Sequence, residues 1–167
     1  MQCLYISGAT IQIGIMRKFC AILKTARCFV NLEVLQVDNI TTGANNGYKV
    51  YQTLEKTTRG LPRLVKFSAS NWKTSINITR VQLGRPYAFT QTTSIRHLHV
   101  AGVNLIENEG TLQLPPDIVE LDLSKAAFNP SSLIALLRSI KAYEKNIALN
   151  ISYLNMKEAE WRAFFRD

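Results

Sequence analysis

The sequence has few of the features that mark secreted, membrane-spanning or zinc-binding chains. It holds three cysteines, an odd number without a C-x-x-C spacing, which argues against a disulfide framework and a zinc site, so we expect buried free thiols. No run approaches the roughly 18 apolar residues that cross a bilayer, and the first residues lack a signal-peptide pattern. We therefore expect a cytoplasmic protein.

Motifs for catalysis are also missing from the sequence. It contains no G-x-S-x-G elbow, no glycine-rich phosphate loop and no H-E-x-x-H pair, and its eight glycines are scattered. We therefore predict a protein that is not an enzyme and needs no cofactor.

The charge is unevenly distributed along the 167 residues. Residues 1–96 hold 13 Lys and Arg against three acids, a net charge of +10, whereas residues 97–167 hold 7 against 9, a net charge of −2. An anionic partner is therefore to be sought on the first half of the chain.

A repeated pattern of two apolar residues, two positions apart, runs through the whole chain. Successive first members are 31, 32, 31, 23 and 28 residues apart. Such alternation predicts six short parallel strands, each with one buried side, which stack into a shared core. The pairs are Leu4/Ile6, Leu35/Val37, Phe67/Ala69, Leu98/Val100, Leu121/Leu123 and Leu149/Ile151.

These segments resemble the L-x-x-L-x-L-x-x-N core of leucine-rich repeats. Asn39 and Asn71 match its asparagine, whereas Gly8, Gly102, Lys125 and Tyr153 stand there in the other copies, which predicts less regular turns. The repeat length looks most like the ribonuclease-inhibitor class, and residues 114–140 look like repeats of cytoskeletal scaffolds such as the CARMIL family. The resemblance implies an α/β solenoid over residues 1–167, with about six repeats, that is part of a longer solenoid.

Helical periodicity appears between several of the strand segments. Over residues 12–27 the apolar side of the predicted helix holds Ile15, Met16, Phe19, Ile22, Leu23 and Ala26. Further helices are predicted over residues 45–59, over residues 131–143 after the cap and proline of Asn129-Pro130, and after Asn155, which forms a capping-box pattern with Glu158. Residues 72–94 and 103–117 lack helical signals, and we expect extended or irregular segments there.

The side chains that alternate with the apolar pairs lie on the opposite side of the strands. They define a candidate surface, the strand face, which is concave in a solenoid. It is polar and mostly uncharged, and we predict that a protein partner binds there. The predicted partner-binding residues are Tyr5, Gln36, Asp38, Lys66, Ser68, His97, His99, Glu120, Asp122 and Asn150.

The centre of the strand face places two histidines beside two carboxylates. His97 and His99 are expected next to Glu120 and Asp122, at the roughly 4.8 Å spacing of adjacent strands. Three interpretations stay open: a plain polar surface, which we favour, a contact that responds to pH, and a metal site.

A second candidate surface, the basic face, lies on the predicted helices. It consists of Arg17, Lys18, Lys24, Arg27, Lys49, Lys56 and Arg59. A solvated helix surface is the favoured interpretation, followed by binding of anionic membrane lipid or an acidic protein, and nucleic acid comes last because no base-stacking motif accompanies the charge.

The leading functional hypothesis is therefore a protein-interaction scaffold, and the rival is a membrane-surface or phosphoinositide adaptor. At the C-terminal end, Trp161, Phe164 and Phe165 share one side of the last predicted helix. We expect Trp161 and Phe165 to pack inward and Phe164 to be partly exposed, and we expect self-association through this end.

Overall fold

The computed structural model describes residues 1–43, 47–74, 94–103, 114–127, 130–141, 146–154 and 157–164. The chain has an α/β architecture with parallel strands in two sheets. The larger sheet contains β1 (Cys3–Ser7), β3 (Val34–Asp38), β5 (Lys66–Ser68), β7 (His97–His99), β8 (Glu120–Asp122) and β9 (Ala148–Asn150). The smaller sheet contains β2 (Thr10–Ile11), β4 (Thr41–Thr42) and β6 (Lys73–Thr74). The α-helices are α1 (Ile13–Thr25), α2 (Gly47–Thr58), α3 (Pro130–Lys141) and α4 (Glu158–Phe164), and a short 3-10 helix spans Arg27–Phe29.

Strand order in the larger sheet follows the order of the chain. Every pairing is parallel, in the order β1-β3-β5-β7-β8-β9. The first members of the six apolar pairs lie in one row across the sheet. The prediction of six parallel strands is confirmed, with the alignment derived from the apolar pairs.

The apolar pairs form the centre of the hydrophobic core. The pairs of the four inner strands are fully buried, at 0% exposure, and the pairs of β1 and β9 are half-buried and pack against them. Trp72, which belongs to none of the repeated apolar pairs, is also fully buried. Its indole N–H donates to the carbonyl of Val37 at 2.7 Å, and its ring meets Tyr51 edge to face at 4.9 Å. Burying each large apolar side chain contributes about 1.5–3 kcal/mol.

The turn that leaves each strand is more regular than the sequence predicted. All six residues at this position have a left-handed backbone, with φ between 55° and 69°, including Lys125 and Tyr153. The N–H groups of the first five repeat one pattern: for example, that of Asn39 donates to the carbonyl of Ser70 and that of Lys125 to the carbonyl of Ser152. The expectation of irregular turns is therefore wrong. In the first five turns a bond to the neighbouring strand holds this backbone, and at Lys125 it does so without a residue type that favours a positive φ.

Helix α1 confirms the predicted helix but presents a narrower buried side. Met16, Cys20 and Leu23 are buried, whereas Ile15 and Ile22 are 56% and 53% exposed. The sequence placed both isoleucines on the core side, which is wrong, because the apolar arc of the helix is wider than the part that meets the core and α2.

The cysteines do not share one environment. Cys20 is buried between α1 and α2, where its thiol donates to the carbonyl of Thr53 at 3.7 Å and burial raises its pKa. Cys3 and Cys28 are exposed. The expectation of buried free thiols is therefore confirmed for Cys20 and wrong for the other two.

The remaining helices lie near their predicted positions. Helices α2 and α3 confirm the predictions over residues 45–59 and 131–143. In α4, Trp161 is half-buried and packs against the core, as expected. Asn155, Phe165 and the side chain of Phe164 lie outside the described residues, as do most of the connections 72–94 and 103–117.

Candidate functional site

The strand face is built from rows of residues that run across the six strands. One row contains Cys3, Val34, Lys66, His97, Glu120 and Ala148, and the next contains Tyr5, Gln36, Ser68, His99, Asp122 and Asn150. All ten predicted binding residues therefore come from adjacent strands, and nine of them belong to these two rows. The tenth, Asp38, lies opposite Ser7.

Exposure divides these residues into three groups. Tyr5 is 63% exposed and Asn150 is also exposed. The half-buried ones are Gln36, Lys66, His97, His99, Glu120 and Asp122. Asp38 and Ser68 are buried, so the prediction that they belong to the exposed surface is wrong.

Asp38 is buried because neighbouring groups use its carboxylate fully. Its Oδ1 accepts from the hydroxyl of Ser68 at 2.7 Å and from the N–H of Ser70 at 2.8 Å, and its Oδ2 accepts from the amide of Gln36 at 2.6 Å. The hydroxyl of Ser70 accepts in turn from the N–H of Ala101 at 3.1 Å. These groups fasten β3, β5 and the turn after β7 to one another, so their role is structural.

The histidine and carboxylate neighbours meet as the sequence predicted. His97 Nδ1 lies 2.7 Å from Glu120 Oε2, within hydrogen-bonding distance. His99 Nε2 lies 3.1 Å from Glu120 Oε1, but the groups are not oriented as a hydrogen bond, and this ring nitrogen is buried without a hydrogen-bond partner. The bond with His97 lowers the pKa of Glu120, and the nearby His99 contributes, against a smaller opposing effect of burial.

Asp122 is not part of that contact. Its Oδ1 accepts from the N–H of Ser124 at 2.8 Å, which closes the local turn. Across residues 1–43, 47–74 and the other described segments, no three His, Cys, Asp or Glu side chains are arranged to hold a metal ion.

The basic face lies on α1, α2 and the segments that follow them, and all seven of its residues are exposed. Within the described part of the chain, Arg59 has an ion pair, 3.1 Å from Glu55, and the charge of Lys56 also acts on Glu55. The other five residues form no ion pair with a described acidic residue. Burial raises the pKa of Glu55, and Arg59 opposes that shift. The helices therefore present cations to solvent with little compensating negative charge.

A cleft of about 340 Å³ opens beside the basic face. Lys24 and Arg27 line it together with apolar residues that include Phe29, Val30 and Leu61. Because α1 and α2 both end here, the partial negative charge of the helix C-termini opposes the binding of an anion in this cleft. The same partial negative charge attracts cations, so Lys24 and Arg27 also stabilise the helix ends.

Comparisons with protein-family models, curated proteins and solved structures find no significant match. None of the described helices is both long enough and apolar enough to cross a lipid bilayer.

Proposed function

We propose that the chain is a leucine-rich-repeat solenoid of the ribonuclease-inhibitor-like class that acts as a non-enzymatic scaffold. Its strand face binds a protein partner, and the stacked strands supply the rigidity. The exposed and half-buried residues of that face form the contact: Tyr5, Gln36, Lys66, His97, His99, Glu120, Asp122 and Asn150.

The observation that carries this proposal is the strand order. Six parallel strands follow one another across the sheet in chain order, with their apolar pairs in a single row. Repeat proteins have this arrangement because each repeat contacts its sequence neighbours, and they use the extended surface so formed for binding.

The chemistry of the strand face favours a protein over a small molecule. Its exposed groups include an aromatic ring, amides, imidazoles and charges of both signs, which are common in protein interfaces. They project from strands at fixed spacings, so little side-chain and backbone order has to be gained on binding. We further propose a cytoplasmic location, which the three free thiols support.

The test is capture of a partner by the wild-type chain, followed by matched variants. Lys66→Glu with Asn150→Arg changes the strand face at two positions: no hydrogen bond or ion pair of the Lys66 side chain is seen within the described residues, and the Asn150 side chain is exposed and accepts only local bonds from Ser152. Arg17→Glu, Lys18→Glu and Lys24→Glu change the basic face instead. We expect the first variant to lose the partner and the second to retain it; the reverse result would reject the strand face as the binding surface.

Anionic membrane lipid is the second candidate ligand. The unpaired cations of the basic face favour it, together with the exposed Ile15 and Ile22 on α1, because membrane-surface helices combine basic and apolar groups. Co-sedimentation with vesicles of phosphatidylcholine alone and with added phosphatidylserine tests this directly. Binding that requires phosphatidylserine and disappears in the triple charge reversal would support the lipid candidate.

A further inference from the structure

The two outermost strands of the larger sheet, β1 and β9, each have one edge without a partner strand among the described residues. Parallel strands use alternate residues to bond to the two sides, so the bonds to the neighbouring strand identify the groups that face each open edge.

At β1, the even-numbered residues face inward. The carbonyl of Gln2 accepts from the N–H of Val34 at 2.9 Å, and the N–H of Gly8 donates to the carbonyl of Asp38 at 3.4 Å. The backbone groups of Cys3, Tyr5 and Ser7 therefore point to the open edge.

At β9, it is also the even-numbered residues that bond to the neighbouring strand, β8. The N–H of Ala148 donates to the carbonyl of Val119 at 2.9 Å, and the carbonyl of Asn150 accepts from the N–H of Leu123 at 2.8 Å. The backbone groups of Leu149 and Ile151 therefore point to the open edge of β9.

The open edges of β9 and β1 can pair with each other in the way that neighbouring strands inside the sheet already pair. Between β3 and β5, the N–H of Asn39, which shares the alternation of the apolar pair, donates to the carbonyl of Ser70 at 2.9 Å. The N–H of Lys66 donates to the carbonyl of Glu33 at 2.9 Å. The edge of β9 thus corresponds to the outgoing side of β3, and the edge of β1 corresponds to the incoming side of β5.

The apolar residues of the two outermost strands are less covered than their counterparts inside the sheet. Leu4 and Ile6 at one end and Leu149 and Ile151 at the other are half-buried, whereas their counterparts on the inner strands are fully covered. The exposed Ile15 and Ile22 on α1 add apolar surface to the first repeat. Both ends therefore have uncovered surface of the kind that neighbouring repeats cover inside the molecule.

We propose that copies of this chain join head to tail, with β9 of one copy pairing in parallel with β1 of the next. Charge favours this direction, because residues 1–96 have a net charge of +10 and residues 97–167 a net charge of −2. Pairing two β1 edges would instead bring two strongly basic halves together. Because the two joined surfaces differ, each copy keeps one open edge for the next, and the joint adds copies in a row, as an open chain or a closed ring.

The register across the joint follows from the rows of the sheet. If Leu149 continues the apolar row onto Leu4, then Ala148 lies opposite Cys3 of the next copy and Asn150 lies opposite Tyr5. Adjacent parallel strands are about 4.8 Å apart, which is within the Cα separation that a disulfide spans. Cys3 and Ala148 are both exposed, so a cross-link between them is accessible.

Disulfide trapping tests this register directly. Ala148→Cys is made in a chain that also carries Cys28→Ser, which leaves Cys3 as the exposed native thiol. Asn150→Cys in the same chain is the matched control, because a position two residues along an adjacent strand is too distant from Cys3 for a disulfide. On mild oxidation, we expect several-fold more disulfide-linked dimers, trimers and longer products from Ala148→Cys than from the control.

Equal cross-linking of the two variants, no cross-linking of either, or dimers formed by the Cys28→Ser chain to the same extent would overturn the proposal. A second pair of variants tests the backbone joint without a cysteine. Tyr5→Pro removes an N–H that faces the open edge, whereas Tyr5→Thr keeps it. We expect light scattering to show concentration-dependent growth in mass for Tyr5→Thr and its loss for Tyr5→Pro; growth in both would also overturn the joint.

The joint goes beyond the scaffold function proposed above. The cross-link reports strand pairing between copies and not partner binding on the strand face. A negative result here therefore leaves the partner-capture experiment with its own independent outcome.

Discussion

The first three strands of the larger sheet and the last two use the same backbone arrangement but different side-chain fastenings. Around β1, β3 and β5, side chains link one strand to the next: Asn39 donates to Ser7 at 2.9 Å, and Ser68 donates to Asp38 at 2.7 Å. Around β8 and β9 the corresponding bonds are local, because Asp122 accepts from Ser124 and Asn150 accepts from Ser152, each two residues along the same chain segment.

The left-handed turn positions differ in the same way. The first four are Gly8, Asn39, Asn71 and Gly102, which are residue types that tolerate a positive φ, whereas the last two are Lys125 and Tyr153. At Lys125, a backbone bond to the neighbouring strand is sufficient for the turn without a side chain suited to it. Side chains suited to the turn add stability in the first region and are missing from the second.

The largest expected difference between the regions concerns their aspartates. Asp38→Ala leaves the buried hydroxyl of Ser68 and the buried N–H of Ser70 without this acceptor, and we expect a loss of about 3 kcal/mol in the free energy of unfolding. Asp122→Ala removes one local bond, for which we expect about 1 kcal/mol. Urea denaturation of both variants provides the measurement, and equal losses would contradict the distinction between cross-strand and local fastening.

Glycine at the turn gives the next largest effect. A Cβ at Gly102 would lie 2.4 Å from Asn71 Oδ1 at a φ of +65°, whereas a Cβ at Gly8 would meet nothing within 4 Å at a φ of +69°. We expect Gly102→Ala to cost about 2 kcal/mol, from backbone strain and displacement of the Asn71 side chain, and Gly8→Ala about 1 kcal/mol from strain alone.

A double variant separates those two causes at Gly102. Asn71→Gly removes the amide that the new methyl group would meet, so Gly102→Ala should cost less in that background than in the wild-type chain. Thermal unfolding of the four chains in the cycle measures the difference. An unchanged cost would show that strain alone accounts for the loss.

Introducing a glycine at the turn after β9 should stabilise the fold, whereas replacing a glycine at the earlier turns destabilises it. Tyr153 adopts a φ of +56° and is exposed, so Tyr153→Gly relieves strain while removing few contacts. We expect it to raise the free energy of unfolding by about 1 kcal/mol. Asn39→Gly is the matched control: it changes a residue that already suits the turn and loses its bond to Ser7, so it should give no gain. A stabilisation of both variants would contradict the proposed difference between the regions.

The sequence was sufficient to predict the strands because alternation of apolar residues reflects which side of the sheet is buried. The row that runs from Leu4 to Leu149 was found in this way. Alternation does not show how deeply the other side is covered, and for that reason Asp38 and Ser68 were placed on the exposed surface. Their burial depends on hydrogen bonds between strands, which no local pattern encodes.

Other features depended on packing between distant segments. The smaller sheet consists of strands two residues long, in which a Thr-Ile, a Thr-Thr and a Lys-Thr pair carry no common apolar pattern. The turn geometry at Lys125 is imposed by its bond to Ser152 rather than by its own preference. At the candidate site, register alone predicted that His97 and Glu120 are neighbours, whereas the orientation of His99 required the structure.

The smallest expected effect is the pH dependence of the contact between His97 and Glu120. This contact joins β7 to β8. It lies between the strands whose side chains bond to the next strand and the strands whose side chains bond locally. The hydrogen bond with His97 lowers the pKa of Glu120 below the ordinary value of 4.5. The ionised carboxylate therefore stabilises the fold at pH above that value. The contribution is lost as the pH falls through the lowered pKa of the folded state. Because both side chains are more than one-third exposed, we expect only about 0.5 kcal/mol. The free energies of unfolding of the wild-type chain and of Glu120→Gln should therefore differ most at pH 6, and the difference should shrink as the pH falls below 4.5. A difference that does not change with pH would assign the effect to shape and not to charge.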